Sequence, residues 1–380
     1  MAAWGASFTA SCTPARDPSP RPASATTAAA PADADATEEI ATPVVLVVLD
    51  GVRWQEIFGA DSALTGDRPG RYGQDARDLL PNIYAAIGTR GAIVGAPGHG
   101  RTIAASGPNF VSMPGYTEIF DGRAPAGCQD NECDGARRPT IVDEIRDRTA
   151  ADSAVAVFAS WERIAAAATQ MPTRIVLSAG RTDIRGEGIL RDDPEMGETL
   201  DRGRGADPYP GAGSFRPDRY TAALALRYLD VRRPALLFVG LGEPDEYAHR
   251  GDRIGYMASL RYADEFVGQL LATLDRMGER GRRTLVLVTS DHGRGRNYRD
   301  HGSRFPESAR VWLAAFGGPV HARGFVEAPQ PRRLADIAPT IRTVLAMKPD
   351  GDPSGGMPLS ELFDDVDPSG AGAVSYAPLP

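Results

Sequence analysis

Short apolar runs alternate along the chain with longer amphipathic stretches. Helical periodicity fills residues 220–231 and 255–281, where apolar positions recur every three or four residues, and Gly278 ends the second pattern. Alternating strands and helices predict an α/β fold, specifically an α/β/α sandwich with a mostly parallel central sheet. Six runs are typical of strands buried on both faces: 44–49, 154–160, 174–180, 235–245, 284–293 and 311–318.

Stretches rich in Pro, Gly and Ala divide the chain. Residues 1–42 predict a signal- or lipoprotein-like start and a disordered tether, and residues 43–348 predict the main folded domain. Residues 181–218 are polar and interrupt the alternation, which indicates a surface insertion, either a lid or a mobile segment. Residues 349–380 predict an irregular tail that contributes little to the core.

Charge and hydropathy restrict the function classes. The net charge of −8 argues against a nucleic-acid-binding face, and no stretch approaches the ~18 apolar residues that span a bilayer. The letters TASC, ending at Cys12, resemble a bacterial lipobox. We therefore expect an exported protein, periplasmic or at the cell surface and membrane-attached through a lipidated Cys12; a disordered cytoplasmic tail is the alternative.

Two further cysteines, Cys128 and Cys133, lie in the polar stretch GCQDNEC. We expect a small disulfide, which fits an oxidising compartment. A structural zinc fits less well because no second cysteine pair exists, and two free thiols remain the other interpretation.

Residues that can bind metals follow three of the predicted strands. The carboxyl ends of parallel strands meet at one edge of a sheet, and carboxylates and imidazoles suit Zn²⁺, with Mn²⁺ as an alternative. Each of these residues alone could belong to a turn, a helix cap or the surface. Together they predict two metal sites, because six ligands are too many for one tetrahedral zinc ion. These residues are Asp50, Asp245, His249, Asp291, His292 and His301.

A metal pair needs a group to activate. In SGPNFVSMPGYTEIF, Ser112 stands between an apolar stretch and a helical one, so its hydroxyl could serve as a metal-activated nucleophile or merely cap the helix. His99 and His321 lie in Gly- and Pro-containing loops without an adjacent carboxylate, which indicates positions outside the site.

Assembled, these motifs resemble the alkaline phosphatase superfamily, in particular its nucleotide pyrophosphatase/phosphodiesterase-like branch. The resemblance extends over residues 43–345. It implies a hydrolase of small phosphate esters that works through a phospho-Ser112 intermediate, and two zinc ions. One zinc would be held by Asp245, His249 and His301, and the other by Asp50, Asp291, His292 and the Ser112 oxygen. The motifs that carry it are VVLDGVRW, VSMPGYTEIFDGRAP, PDEYAH, VTSDHG and DIAPTI.

Details of the resemblance leave alternatives. His321 rivals His301 as the last ligand, and Asn131 falls where relatives bind a phosphoryl oxygen. Tyr116 replaces the arginine of the sulfatase motif, which argues against a sulfatase. No arginine matches the phosphate clamp of monoesterases, which favours diesters, although Arg53 or an arginine of residues 181–218 could take that role.

Other functions fit the same residues. A phosphomutase or phosphotransferase would pass the phosphoryl group from Ser112 to an acceptor other than water. A non-catalytic, surface-anchored binding protein would use a degenerate site.

Overall fold

A central sheet of nine strands organises the protein, as seen in a computed structural model that describes residues 40–59 and 76–363. A second sheet, in the order β12-β3-β9, has three short strands. The strands within the described residues are β1 (Val44–Leu49), β2 (Gly91–Val94), β3 (Ile103–Ala104), β4 (Val155–Ala159), β5 (Val176–Ala179), β6 (Asp183–Arg185), β7 (Leu236–Leu241), β8 (Leu285–Thr289), β9 (Arg310–Val311), β10 (Leu313–Phe316), β11 (Gly324–Phe325) and β12 (Arg332–Arg333).

Helices cover both faces of the large sheet. Within the described residues they are α1 (Trp54–Phe58), α2 (Ala76–Leu79), α3 (Pro81–Arg90), α4 (Ser112–Asp121), α5 (Ile141–Asp147), α6 (Ile164–Ala168), α7 (Glu187–Arg191), α8 (Pro194–Gly205), α9 (Asp218–Arg232), α10 (Glu243–His249), α11 (Arg253–Arg276), α12 (Glu279–Arg283) and α13 (Ile337–Val344). Among the described residues, no helix combines the length and apolar content that crossing a membrane requires.

The large sheet is mostly parallel and buried on both faces, as the sequence predicts. Its order is β11-β2-β10-β8-β1-β7-β4-β5-β6, and β10 and β6 are the strands that run antiparallel to their neighbours. Along β1, Val44, Leu46 and Val48 enter one apolar cluster with residues of α4 and α13. Val45, Val47 and Leu49 enter another with residues of α9 and α11. Successive side chains of a strand point to opposite faces, so this division confirms the α/β/α sandwich.

All six apolar runs contain strands, and the two periodic stretches form α9 and α11. The short strands β2, β3, β9, β11 and β12 lack a comparable apolar run, and the sequence pattern did not reveal them. β10 comes from a predicted run, yet its antiparallel direction depends on its pairing with β8 and β2.

Residues 181–218 form regular structure, which their polar composition did not indicate. They contain β6, α7 and α8, and α8 begins with Asp193 accepting a hydrogen bond from the Met196 backbone N–H. Met196 and Leu200 of α8 are buried against the second apolar cluster. Ion pairs add to these apolar contacts, since Arg191 and Arg204 both bind Glu187.

The expectation of little core beyond residue 349 is wrong for residues 359–363. Leu359, Leu362 and Phe363 are buried in the first apolar cluster. The side chain of Glu361 anchors this turn by pairing with Arg332, which is itself buried. Residues 1–39, which include Cys12 and most of the predicted tether, and residues 364–380 lie outside the described part of the chain.

Candidate metal centre and nucleophile

The predicted ligands meet at one edge of the large sheet. Asp50 follows β1, which pairs in parallel with β7 on one side and β8 on the other. The helix α10 begins two residues after β7, and it presents Asp245 and His249 one turn apart on the same face. Asp291 and His292 follow β8 after one intervening residue, Ser290. The parallel register therefore brings three distant segments together at their carboxyl ends.

Asp50, Asp291 and His292 form the first candidate metal group, and all three are buried. His292 Nε2 lies 3.5 Å from Asp50 Oδ1 and 3.4 Å from Asp291 Oδ2. The Gly51 backbone N–H donates to Asp291 Oδ1 at 3.0 Å, which turns Oδ2 toward the histidine. These contacts give the group two carboxylate oxygens and one imidazole nitrogen that converge.

Asp245, His292 and His301 form the second candidate group. His301 Nε2 lies 3.7 Å from Asp245 Oδ1 and 2.9 Å from His249 Nε2, and His249 Nε2 lies 3.0 Å from Asp245 Oδ2. The structure thus places His301 in the cluster. His321 is exposed elsewhere, and its backbone N–H donates to the Leu362 carbonyl.

His292 stands between the two groups, which the sequence-based division into two ligand sets did not show. Its Nε2 lies 3.9 Å from Asp245 Oδ1, and its ring stacks on the ring of His301 at 4.0 Å between centroids. Carbonyl oxygens fix both rings: Gly293 accepts from His292 Nδ1, and Phe110 accepts from His301 Nδ1, each at 2.9 Å. Each ring therefore keeps Nε2 free to face the carboxylates.

The donor set fits divalent cations. Asp291 Oδ2 is buried and has no hydrogen-bond partner among the described residues. Burial, together with repulsion from Asp291 and Asp245, raises the pKa of Asp50 well above its usual range, and burial raises the pKa of Asp291 to about 8. Burial lowers the pKa of His301 to about 4. A bound cation would stabilise the ionised form of these carboxylates. It would also bind the neutral imidazole nitrogens, which are the form that ligates a metal.

Ser112 is the first residue of α4, and its side chain points into the cluster. Its Oγ lies 3.3 Å from both Asp50 Oδ1 and His292 Nε2. A glycine allows this approach, because a Cβ at Gly115 would collide with the backbone of Asp291. The hydroxyl therefore does more than begin a helix: it lies among the candidate ligands.

Asn131 lies beside the same helix. Its Oδ1 accepts a hydrogen bond from the Met113 backbone N–H at 3.0 Å. A backbone N–H can donate only to the oxygen of the amide, so the Nδ2 group is left to donate elsewhere. The predicted disulfide between Cys128 and Cys133 is present and closes the loop that carries Asn131.

Comparisons with known proteins agree with this geometry. Residues 221–349 match the sequence profile of the Metalloenzyme superfamily. The chain is 29% identical over 127 residues to a 2,3-bisphosphoglycerate-independent phosphoglycerate mutase of Rippkaea orientalis, covering 30% of this chain and 22% of that protein. It is 33% identical over 129 residues to a phosphopentomutase of Herpetosiphon aurantiacus, covering 32% of this chain and 29% of that protein. The matched stretch thus spans less than a third of either relative.

Solved structures resemble a larger share of the chain. Alkaline phosphatase PafA has a TM-score of 0.56 at 12% identity, covering 85% of this chain and 99% of that chain. This likeness confirms the alkaline phosphatase-like fold. A phosphonate monoester hydrolase from Silicibacter pomeroyi has a TM-score of 0.51 at 14% identity, covering 88% of this chain and 78% of that chain. The phosphodiesterase-like branch stays a prediction.

Two further residues of this site had no sequence pattern that assigned them to it. Tyr116, buried on α4, donates its hydroxyl to Asp50 Oδ2 at 3.2 Å. Arg294, also buried, pairs with Asp245 and donates to the Gly51 carbonyl at 3.2 Å. In the sequence, Tyr116 stands out only because it replaces the arginine of the sulfatase motif. Arg294 directly follows the letters SDHG, but in a chain with many arginines its position alone gave no signal.

Tyr116 offers a test of how Asp50 is oriented. We expect Tyr116→Phe to lower metal affinity about 10- to 100-fold, because a group that orients a ligand carboxylate is lost while the ring volume is kept. Calorimetric titration of the metal-free protein with Zn²⁺ measures this. Tyr228→Phe is the matched control, since Tyr228 is equally buried and donates to the Ser153 carbonyl. Equal zinc affinity in both variants would contradict the assigned role.

Proposed function

We propose that this protein is a metal-dependent hydrolase of phosphate esters in which Ser112 is the nucleophile. The observation that carries the proposal is the position of Ser112 Oγ, 3.3 Å from both Asp50 Oδ1 and His292 Nε2. Ser112 also begins a helix of ten residues, whose positive end favours a negative charge on the oxygen. The match of residues 221–349 to the Metalloenzyme superfamily supports a metal-dependent reaction.

Two metal ions would be held at this edge of the sheet. Asp50, Asp291, His292 and the Ser112 oxygen would hold one ion, and Asp245, His249 and His301 would hold the other, with His292 between them. Oxygen and imidazole ligands suit zinc, with manganese as the alternative. When bound, the ions would lower the pKa of the Ser112 hydroxyl and offset the charge that develops on the phosphoryl group.

The chain's own residues then account for two steps. In the first, Ser112 Oγ attacks phosphorus and the ester oxygen departs, which leaves a phosphoserine at the start of α4. The Ser112 hydroxyl donates its hydrogen bond to Asp50 Oδ1 in the structure, and the proton that it loses ends on the departing oxygen, which leaves as the alcohol. In the second step, water attacks phosphorus on the side opposite Ser112. One proton of this water regenerates the Ser112 hydroxyl, and the phosphate product departs with the remaining hydroxyl group.

We further propose that phosphodiesters are the preferred esters. Of the arginines considered as phosphate clamps, Arg53 is buried and bonds to Glu56 and to the carbonyl of Arg296. Within residues 181–218, Arg191 and Arg204 pair with Glu187, and the buried Arg216 bonds to the Ser178 hydroxyl. Arg294, which was not among the expected clamps, is bound to Asp245. Asn131 Nδ2 is then the side-chain donor beside Ser112 that these contacts leave for a phosphoryl oxygen. A neutral donor suits the single negative charge of a diester better than the double charge of a monoester dianion.

Asn131 can be tested by kinetics. We expect Asn131→Ala to raise KM for an aryl phosphodiester about 10-fold, since one hydrogen bond to a charged group is lost, and to leave zinc affinity unchanged. Steady-state rates and a zinc titration separate the two quantities. Asn82→Ala is the control, because Asn82 bonds to Asp264 on α11. If Asn131→Ala retains the wild-type KM, Asn131 does not bind substrate.

A phosphotransferase or mutase is the second candidate, since both curated relatives described above are mutases. Turnover of an aryl phosphodiester and an aryl phosphomonoester in buffer without an added acceptor tests the proposal against this candidate. A hydrolase releases the aryl alcohol continuously, whereas a strict transferase stops after one equivalent of phosphoserine has formed. The third interpretation, a non-catalytic binding protein, predicts no release in either assay.

We also propose export, with attachment through lipidated Cys12. The disulfide of Cys128 and Cys133 supports an oxidising compartment. Mass spectrometry of the native protein, recovered from membranes and from the soluble fraction, would identify a diacylglyceryl group at Cys12. An unmodified, soluble chain that starts upstream of Cys12 would contradict the proposal.

A further inference from the structure

The side chain of Asn109 connects two loops of the candidate site. Its Nδ2 donates to the Gln129 carbonyl at 2.7 Å, inside the loop closed by Cys128 and Cys133. Its Oδ1 accepts from the Ser303 backbone N–H at 2.9 Å, two residues beyond His301. Both ends of one amide are therefore used, each on a different loop.

Each of these loops carries one residue of the proposed machinery. The loop 128–133 carries Asn131, and the loop after β8 carries His301. The residue next to Asn109 contributes to the same connection, because the Phe110 carbonyl accepts from His301 Nδ1 at 2.9 Å. The chain reaches Ser112 two residues after Phe110. Residues 109–112 thus contact the loop that carries Asn131, contact the candidate ligand His301, and end at the nucleophile Ser112.

The backbone around His301 is shaped to fit this amide. Gly302 has a φ of 101°, in the left-handed region that favours glycine, and a Cβ there would lie 3.1 Å from Asn109 Oδ1. Besides Asn109 and the bond from the Met113 backbone N–H to Asn131, the loop 128–133 has an attachment to Arg163, which donates to the Cys133 carbonyl at 2.6 Å. These other attachments keep the loop in place without Asn109 but do not connect it to His301.

We infer that Asn109 is a positioning residue that sets Asn131 and His301 relative to Ser112, and so links substrate binding to metal binding. The inference rests on the proposed function, because it takes Asn131 as the substrate donor and His301 as a metal ligand. Asn109 touches neither substrate nor metal in this account. Its effect passes through two hydrogen bonds, one to each loop.

Double-mutant cycles test the inference. The variants are Asn109→Ala, Asn131→Ala, His301→Ala and the two double variants that combine Asn109→Ala with each of the others. We expect Asn109→Ala to raise KM for an aryl phosphodiester and to weaken Zn²⁺ binding, each about 10-fold. The KM increase should vanish when Asn131 is already alanine, and the loss in zinc affinity should vanish when His301 is already alanine.

A merely structural asparagine would behave differently. Additive effects in both cycles, or a Zn²⁺ affinity and a KM equal to those of the Asn82→Ala control, would overturn the inference. Calorimetric zinc binding is measured without substrate, so it reports on Asn109 whether or not the ester is turned over. Failure of the proposed function has its own signature, namely wild-type protein that binds zinc and shows no release of the aryl alcohol.

Discussion

Ser112→Ala is expected to reduce turnover of phosphate esters by a factor on the order of 10⁴ or more, since no covalent intermediate can then form. The side chain loses one oxygen in a buried position and leaves Asp50 and His292 in place. Zinc binding should therefore persist, weakened only by the loss of one oxygen ligand. Rates with an aryl phosphodiester and the zinc content of the purified variant measure both quantities.

Trapping the intermediate makes the same prediction sharper. Acid quenching of the wild-type protein during turnover should leave phosphate on a peptide that contains Ser112, and the variant should carry none. Ser259→Ala is the matched control, because Ser259 is equally buried but donates to the Tyr256 carbonyl within α11. Full activity in Ser112→Ala would leave water or another residue as the nucleophile and would refute the proposed mechanism.

Removal of metal is expected to have the second large effect. Dialysis against a strong chelator should abolish turnover, and added Zn²⁺ or Mn²⁺ should restore it, because the cluster of Asp50, Asp245 and Asp291 needs cations to offset its charge. Bound metal should also stabilise the fold. At free zinc one hundred times above Kd, the gain in the free energy of unfolding is about 2.7 kcal/mol per site.

Denaturant unfolding with and without Zn²⁺ measures this stabilisation. Asp291→Ala is the informative variant, since it removes the buried oxygen that has no hydrogen-bond partner among the described residues. It should bind one zinc ion fewer and gain correspondingly less stability from zinc. A wild-type protein whose turnover and unfolding are both unaffected by chelation would rule out the metal centre.

The longer helices and strands could be predicted because burial determines the spacing of apolar residues along the sequence. The run 44–49 is apolar on both faces because β1 lies in the middle of the sheet, with β7 and β8 beside it. The short edge strand β11 has only two residues, so no periodicity could reveal it. The helices α7 and α8 were missed for a different reason: ion pairs and a capping Asp193 stabilise them alongside a small apolar face.

The candidate ligands were predictable for a related reason. Asp50, Asp245, Asp291 and His292 follow recognisable strands, and parallel strands place their carboxyl ends at one edge of a sheet. The choice of His301 over His321 rested on a resemblance of motifs, and the tertiary structure settles which histidine lies in the cluster, because it places the two in different parts of the fold.

The class of fold, the edge of the sheet where chemistry is expected, and the residue types that meet there all follow from the amino-acid pattern. The residues that orient those ligands became visible only in the folded chain. Tyr116 faces Asp50, Arg294 faces Asp245, and Asn109 joins the loops of Asn131 and His301. Such contacts join residues far apart in the chain through one or two hydrogen bonds or an ion pair, and these leave no periodic pattern in a sequence.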